Sequence, residues 1–186
     1  TIAGKLDARE VFSKIVYGAW RNGEPGMIFL DQVNKDNHVS ETYGEMIATN
    51  PCGEQPLLGN ESCNLGSINL AKFYQKADEG SSFGWNDKID WARLESVTRK
   101  SVHFLDNVID ANKYATPEIE HMTKSTRKIG LGIMGFADLL IQMHIPYNSE
   151  LAREVGEKVM SKVREWADDE SKVLAKSRGA FPAWKD

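Results

Sequence analysis

The chain has 186 residues, 27% charged and 41% hydrophobic, with a formal net charge of -4. That is the length of one ordinary domain with a real core; it carries no basic footprint for nucleic acid, no apolar run near the ~20 residues of a membrane helix and no signal peptide. Two cysteines do not make a secreted disulfide framework, so a reducing, cytoplasmic setting is expected, with any role of the thiols chemical rather than structural.

In chain order, residues 7–23 read as a helix. Asp7 can cap it, and Val11, Phe12, Ile15, Val16 and Ala19 recur on one face. After the break at Gly23-Glu24-Pro25-Gly26, the apolar run 27–30 predicts a short buried strand. Residues 31–50 are polar and read mostly as loop. Two prolines and a glycine exclude regular structure from 50–56. Residues 62–73 predict a short strand leading into a helical turn, and 79–86 a loop.

The clearest helix spans 90–114, with Leu94, Val97, Phe104, Leu105, Val108 and Ile109 as its stripe. Thr116-Pro117 opens another, with a capping Thr and Pro at the first helical position. Residues 128–135 predict a strand and turn, 136–143 a short helix, and 149–177 a long final helix capped by Ser149. Leu151, Val155, Val159, Val163 and Trp166 lie near one side of that helix. Helices dominate with a few buried strands between them, which predicts an α/β fold. Thr1 in place of Met, and a close at 181–186 without a helix or strand end, point to a segment of a longer polypeptide.

The segment Asn50-Pro51-Cys52-Gly53-Glu54-Gln55 sets an amide, a thiol and a carboxylate within five residues. In extended backbone, Asn50, Cys52 and Glu54 would face one side and one small ligand. Cys63 follows eleven positions later in Glu61-Ser62-Cys63-Asn64-Leu65-Gly66-Ser67-Ile68-Asn69-Leu70. The competing reading is plain: a cysteine is usually a small buried hydrophobe. Two cysteines cannot close a tetrahedral zinc site. His38, His103, His121 and His144 are scattered, with His103 and His144 expected on helix faces, and no metal site is expected.

Those two stretches resemble the active-site finger loop of ribonucleotide reductase catalytic subunits, most closely the adenosylcobalamin-dependent class II type. Residues 24–31, 127–140 and 177–182 resemble neighbouring segments of the same family, in family order. Gly59-Asn60 departs from the Pro-Tyr pair expected there. The resemblance implies part of a ten-stranded α/β barrel, one partial domain over 1–186, with the finger loop at about 48–64. It implies that Cys52 becomes a thiyl radical and takes the 3′ hydrogen of a ribonucleotide. Glu54 would accept the 3′-hydroxyl proton, Asn50 would hydrogen-bond the sugar, and the tip Asn50, Pro51, Cys52, Gly53 and Glu54 would meet substrate. Cys63 would be half of a redox-active disulfide whose other thiol lies outside this chain.

The implied cofactor is adenosylcobalamin, whose binding residues are not located in this segment. The implied partners are the ribonucleotide, the remainder of the reductase chain, a thioredoxin-like reductant acting indirectly, and a second copy in a homodimer. The segment alone is expected to be inactive. The first alternative is a class I large subunit that receives its radical from a separate metal-containing subunit. The others are a non-catalytic split-gene or intein-flanked piece, and a thiol redox protein pairing Cys52 with Cys63, although their spacing is not CxxC.

Gly130-Leu131-Gly132-Ile133-Met134-Gly135 matches the dinucleotide fingerprint. The acidic residue wanted ~20 positions on would fall in the final helix, so close backbone packing explains the glycines better. The acids around 164–170 read as a solvated helix face, and Trp91, Trp166 and Trp184 as packing residues.

Overall fold

A computed structural model describes residues 4–76 and 84–184. The chain forms two compact units divided after Gly59.

In the first unit, helix α1 (Ala8–Asn22) starts at Asp7, whose carboxylate accepts from the amides of Arg9 and Glu10 at 2.9 and 3.0 Å. It stops at Gly23, in the left-handed conformation with φ 85°. The apolar face predicted for it is real in spacing but uncovered: Phe12, Val16 and Trp20 are all exposed. The buried strand expected at 27–30 is absent. Met27, Ile28 and Phe29 are exposed without regular structure, and Leu30 opens a one-turn helix, α2 (Leu30–Val33). A short apolar run fixes neither strand nor helix by itself, and no ladder pairs with these residues.

Residues 31–50 hold more structure than a loop: α2, a 3₁₀ turn Asn34–Asp36, helix α3 (Ser40–Tyr43) and strand β1 (Ala48–Thr49). Two asparagine side chains organise them. Asn34 Nδ2 donates to the carbonyls of Leu30 and Met46 at 2.9 and 3.0 Å, while its Oδ1 accepts from the Met46 amide at 2.8 Å. Buried Asn37 donates to Asn34 Oδ1 and to the Gly44 carbonyl. β1 pairs antiparallel with β2 (Pro56–Leu57), Ala48 opposite Leu57 and Thr49 opposite Pro56.

The second unit carries the α/β pattern. β3 (Asn64–Asn69) runs into a 3₁₀ turn, Leu70–Phe73, as expected. Residues 79–83 of the expected loop lie outside the described residues, as do Thr1, Lys185 and Asp186; Trp85 and Asn86 belong to a 3₁₀ turn, Trp85–Lys88, rather than a loop. Helix α4 (Trp91–Ala111) is capped by Asp90 and buries Leu94, Thr98, Val102, Leu105 and Ile109. Phe104 departs from the predicted stripe and is exposed, because it stands about 100° around the helix from Leu105. The helix ends at Ala111, and the Tyr114 hydroxyl returns to donate to the Ile109 carbonyl at 2.6 Å.

Helix α5 (Pro117–Thr126) starts at the Thr116 cap and ends at Arg127, φ 47°. β4 (Ile129–Met134) pairs in parallel with β3, Asn64 beside Ile129 through Asn69 beside Met134. Helices α6 (Phe136–Gln142) and α7 (Glu150–Arg178) complete the unit, the latter capped by Ser149. His144 is not on a helix face; it follows α6 with φ 60°. Leu70, Leu94, Leu139, Leu140, Val155 and Val159 are at the centre of an apolar core, at which Trp91 and Trp166 meet edge to face at 6.4 Å between ring centroids.

Gly135 accounts for the last of the three dinucleotide-like glycines. It has φ 67°, and a Cβ there would stand 2.3 Å from Asn69 Oδ1, the atom that caps the 3₁₀ turn after β3. Only glycine permits both the backbone and the approach.

Candidate active site

The cysteine segment is the tip of a hairpin. Beyond the β1–β2 stem, the Asn50 amide donates to the Gln55 carbonyl at 3.2 Å, and Gln55 returns its own amide to Asn50 Oδ1 at 3.0 Å. The Gly53 amide donates to the Asn50 carbonyl at 3.0 Å, closing a β-turn with Pro51 second and Cys52 third. Proline presets φ at that second position, and Gly53 takes φ 82° where a side chain would be strained. Four-residue hairpin loops of this kind are commonly built around such a turn.

Pro51, Cys52, Gly53 and Glu54 are all exposed at the tip, and Asn50 is half-buried at its base. The expected extended backbone is therefore replaced by a reversal, and alternation along a strand does not place these side chains. They share one tip because the chain turns back. Asn50 Oδ1 is committed to the Gln55 amide, which leaves the Nδ2 hydrogens as the part of this side chain not used by that bond.

Cys63 belongs to the second unit, one residue before β3, half-buried, with its thiol 3.4 Å from the Asn64 carbonyl as donor. Sequence reading missed what surrounds it. The Glu61 side chain is wholly buried and its Oε2 lies 2.7 Å from Lys128 Nζ. The Ser62 and Thr123 hydroxyls are 2.7 Å apart, and Asn64 Nδ2 donates to the Leu105 carbonyl at 3.1 Å. Only a charged residue next to an apolar strand hinted at this, and its partner, 67 positions on, is invisible to spacing. Asn34 and Asn37, which hold the approach to the hairpin, were missed for the same reason. The turn was findable, since Pro second and Gly fourth is a common β-turn pattern.

A second polar cluster lies among α4, Arg127 and α7. Arg127 grips Asp106 at 2.8 Å and Asp110 at 2.9 Å, and Arg178 reaches Asp106 Oδ2 at 2.6 Å and His103 Nε2 at 2.7 Å. The hydrogen bond to Asp110, against partial burial and with help from Asp106, holds the Arg127 guanidinium above its ordinary range; the same contact holds the Asp110 carboxyl below its own. These charges satisfy one another and line a cavity of about 450 Å³. Two further hollows, both within the first unit, measure about 320 and 440 Å³, the scale of an ordinary small-ligand pocket. Among the described residues no three His, Cys, Asp or Glu side chains gather as a metal site, and no helix is long and apolar enough to cross a membrane.

Residues 2–186 match the family model described as ribonucleotide reductase, barrel domain. The chain is 49% identical over 183 residues to a vitamin B12-dependent ribonucleoside-diphosphate reductase of Thermoplasma acidophilum, covering 98% of this chain and 22% of the relative. It is 45% identical to the protein of the same name from Mycobacterium tuberculosis, covering 100% of this chain and 25% of that one. The fold matches an Actinobacillus ureae class Id ribonucleotide reductase alpha subunit with a TM-score of 0.73 at 23% identity, over 94% of this chain and 33% of that structure. The chain thus spans about a quarter or less of the curated relatives it matches. With the parallel strand pair, the exposed-thiol hairpin and a family match along nearly its whole length, this chain belongs to the ribonucleotide reductase barrel-domain family.

Proposed function

We propose that this chain supplies the radical-bearing loop of a ribonucleotide reductase that converts ribonucleoside diphosphates to deoxyribonucleotides for DNA synthesis, as part of a single barrel domain in a longer parent. The observation that carries the reading is the exposed Cys52 thiol on a stiff hairpin tip, between Asn50 and Glu54. The family match supports the reaction, and the relatives' names support the diphosphate substrate and adenosylcobalamin as the parent's cofactor. None of the three hollows described above is assigned to that cofactor, whose binding residues are not located in this segment.

As a thiyl radical, Cys52 takes the 3′ hydrogen of the ribose. A carbon radical beside a hydroxyl is stabilised when that hydroxyl loses its proton, and Glu54 is the base at hand. General-base help of this kind is typically worth ~10²–10⁴ in rate. Asn50 donates to the sugar through Nδ2, the half of its amide not used by the bond to Gln55. The 2′-hydroxyl leaves as water; two thiols supply two electrons and two hydrogens and become a disulfide, after which Glu54 returns its proton to the 3′ oxygen and Cys52 returns the hydrogen to the 3′ carbon, becoming a thiyl radical again. Cys63 is one of the two. The hairpin bonds fix the backbone that carries the thiol before substrate arrives, which reduces the ordering left for each turnover.

The second reducing thiol belongs to another part of the parent, since the two cysteines here have separate roles. A thioredoxin-like reductant, a homodimeric parent and a cytoplasmic setting complete the proposal, the last supported by cysteine usage. In the parent enzyme, Cys52→Ser abolishes deoxyribonucleotide formation, and retained activity would refute the radical assignment. The isolated chain, mixed with substrate, adenosylcobalamin and a dithiol, gives no product; product would refute the need for the rest of the parent chain.

A further inference from the structure

The residues on either side of Cys63 are tied by their side chains to three different elements. Glu61 pairs with Lys128 at the entry to β4, Ser62 with Thr123 on α5, and Asn64 with the Leu105 carbonyl on α4. Thr123 is itself buried, and the Glu61 side chain has no exposure. A buried ion pair is a poor way to gain stability, because apolar residues of similar volume usually do as well or better. What such a pair supplies is a fixed arrangement. The segment just ahead of a strand is otherwise an end that frays, yet here each residue flanking the thiol is anchored.

The Glu61–Lys128 contact is close, at 2.7 Å, and joins the segment ahead of β3 to the entry of β4. From these contacts we infer that Glu61 with Lys128, and Ser62 with Thr123, are positioning residues that hold the Cys63 thiol where it delivers its hydrogen and then closes a disulfide. The inference rests on the reducing role proposed above for Cys63.

The test uses the parent enzyme and the balance between two products. Without thiol electrons the reaction stops at a 3′-keto-2′-deoxynucleotide, the dehydration product of the substrate, which needs no outside reductant. Its base sits β to the carbonyl and is eliminated. Free base released per deoxyribonucleotide formed therefore reports how well Cys63 is placed, and simple loss of folded enzyme does not change it. Glu61→Gln should raise this ratio at least about tenfold and Thr123→Val about threefold, with KM unchanged, the size of effect expected from small displacements of a reacting group. Lys128→Arg, which keeps the charge, should stay near the wild-type ratio. If Glu61→Gln does not fold, Thr123→Val decides, since it exchanges a hydroxyl for a methyl of similar size. Wild-type ratios in the folded variants overturn the positioning role. Cys63→Ser separates the two levels: if it forms deoxyribonucleotide normally, the reducing role itself is wrong, whereas an uncoupled Cys63→Ser beside coupled Glu61→Gln and Thr123→Val refutes only the positioning.

Discussion

The two units hold themselves together by different means. Among the described residues of 4–59, only Asn37 and Leu58 are buried, and the order of the segment leading to the hairpin comes from amide hydrogen bonds. The described residues of 60–184 share an apolar core built mainly of leucines, valines and isoleucines, with a few buried polar groups such as Thr98 and Thr123 set among them. The exposed thiol sits on the unit with little core, where directional bonds rather than packing fix the loop. The lesson is that the chemistry of this chain and its stability should be separable by mutation.

The largest expected effect is on chemistry alone. Glu54→Gln in the parent enzyme should lower turnover by about 10²–10⁴ while its thermal melting stays unchanged, because the carboxylate lies exposed at the tip. The opposite case is Leu94→Ala. It removes a side chain with no exposure from the core and should cost about 2–5 kcal/mol, read by guanidinium unfolding with tryptophan fluorescence reporting the Trp91–Trp166 contact. Asn37→Ala lies between them. Its loss takes the side-chain partner from the Gly44 carbonyl and the Val39 amide, at a cost of about 0.5–1.5 kcal/mol per hydrogen bond lost. Faster hydrogen exchange at Met46 and the hairpin amides, with the core of 60–186 unaffected, would confirm that the amide bonds, not packing, order that segment.

How far these differences were legible in the sequence follows the same division. Caps and stripes are local, so Asp7, Thr116, Ser149 and the spacing of Leu94, Leu105 and Ile109 announced their helices correctly. The run at 27–30 failed because a strand needs an edge to pair with, and sequence cannot supply one. Phe104 failed because hydrophobicity does not say which side of a wide stripe is covered. At the site, the residue types of the cysteine loop were readable, but its turn was misread as extended. The pairs Glu61–Lys128 and Ser62–Thr123 join residues more than 60 positions apart, beyond any local pattern.

The smallest predicted effect is on pH dependence. Arg127 holds the folded Asp110 carboxyl below its ordinary value, so its contribution is full above the unfolded carboxylate pKa of about 3.9 and is lost as pH falls through the lower folded value. The side chain is 58% exposed, which screens the pair and limits it to under about 1 kcal/mol. Asp110→Asn should flatten the acid limb of an unfolding curve below about pH 4 by that amount and leave the neutral-pH hairpin untouched.

Hydrogen transfer to the Cys52 sulfur is the claim on which the proposed function stands, and a ribonucleoside diphosphate deuterated at the 3′ carbon tests it. The parent enzyme should show a primary isotope effect on kcat/KM, and its Cys52→Ser variant should release neither base nor deoxyribonucleotide. A Cys52→Ser enzyme that still turns over with the isotope effect intact would contradict the assignment.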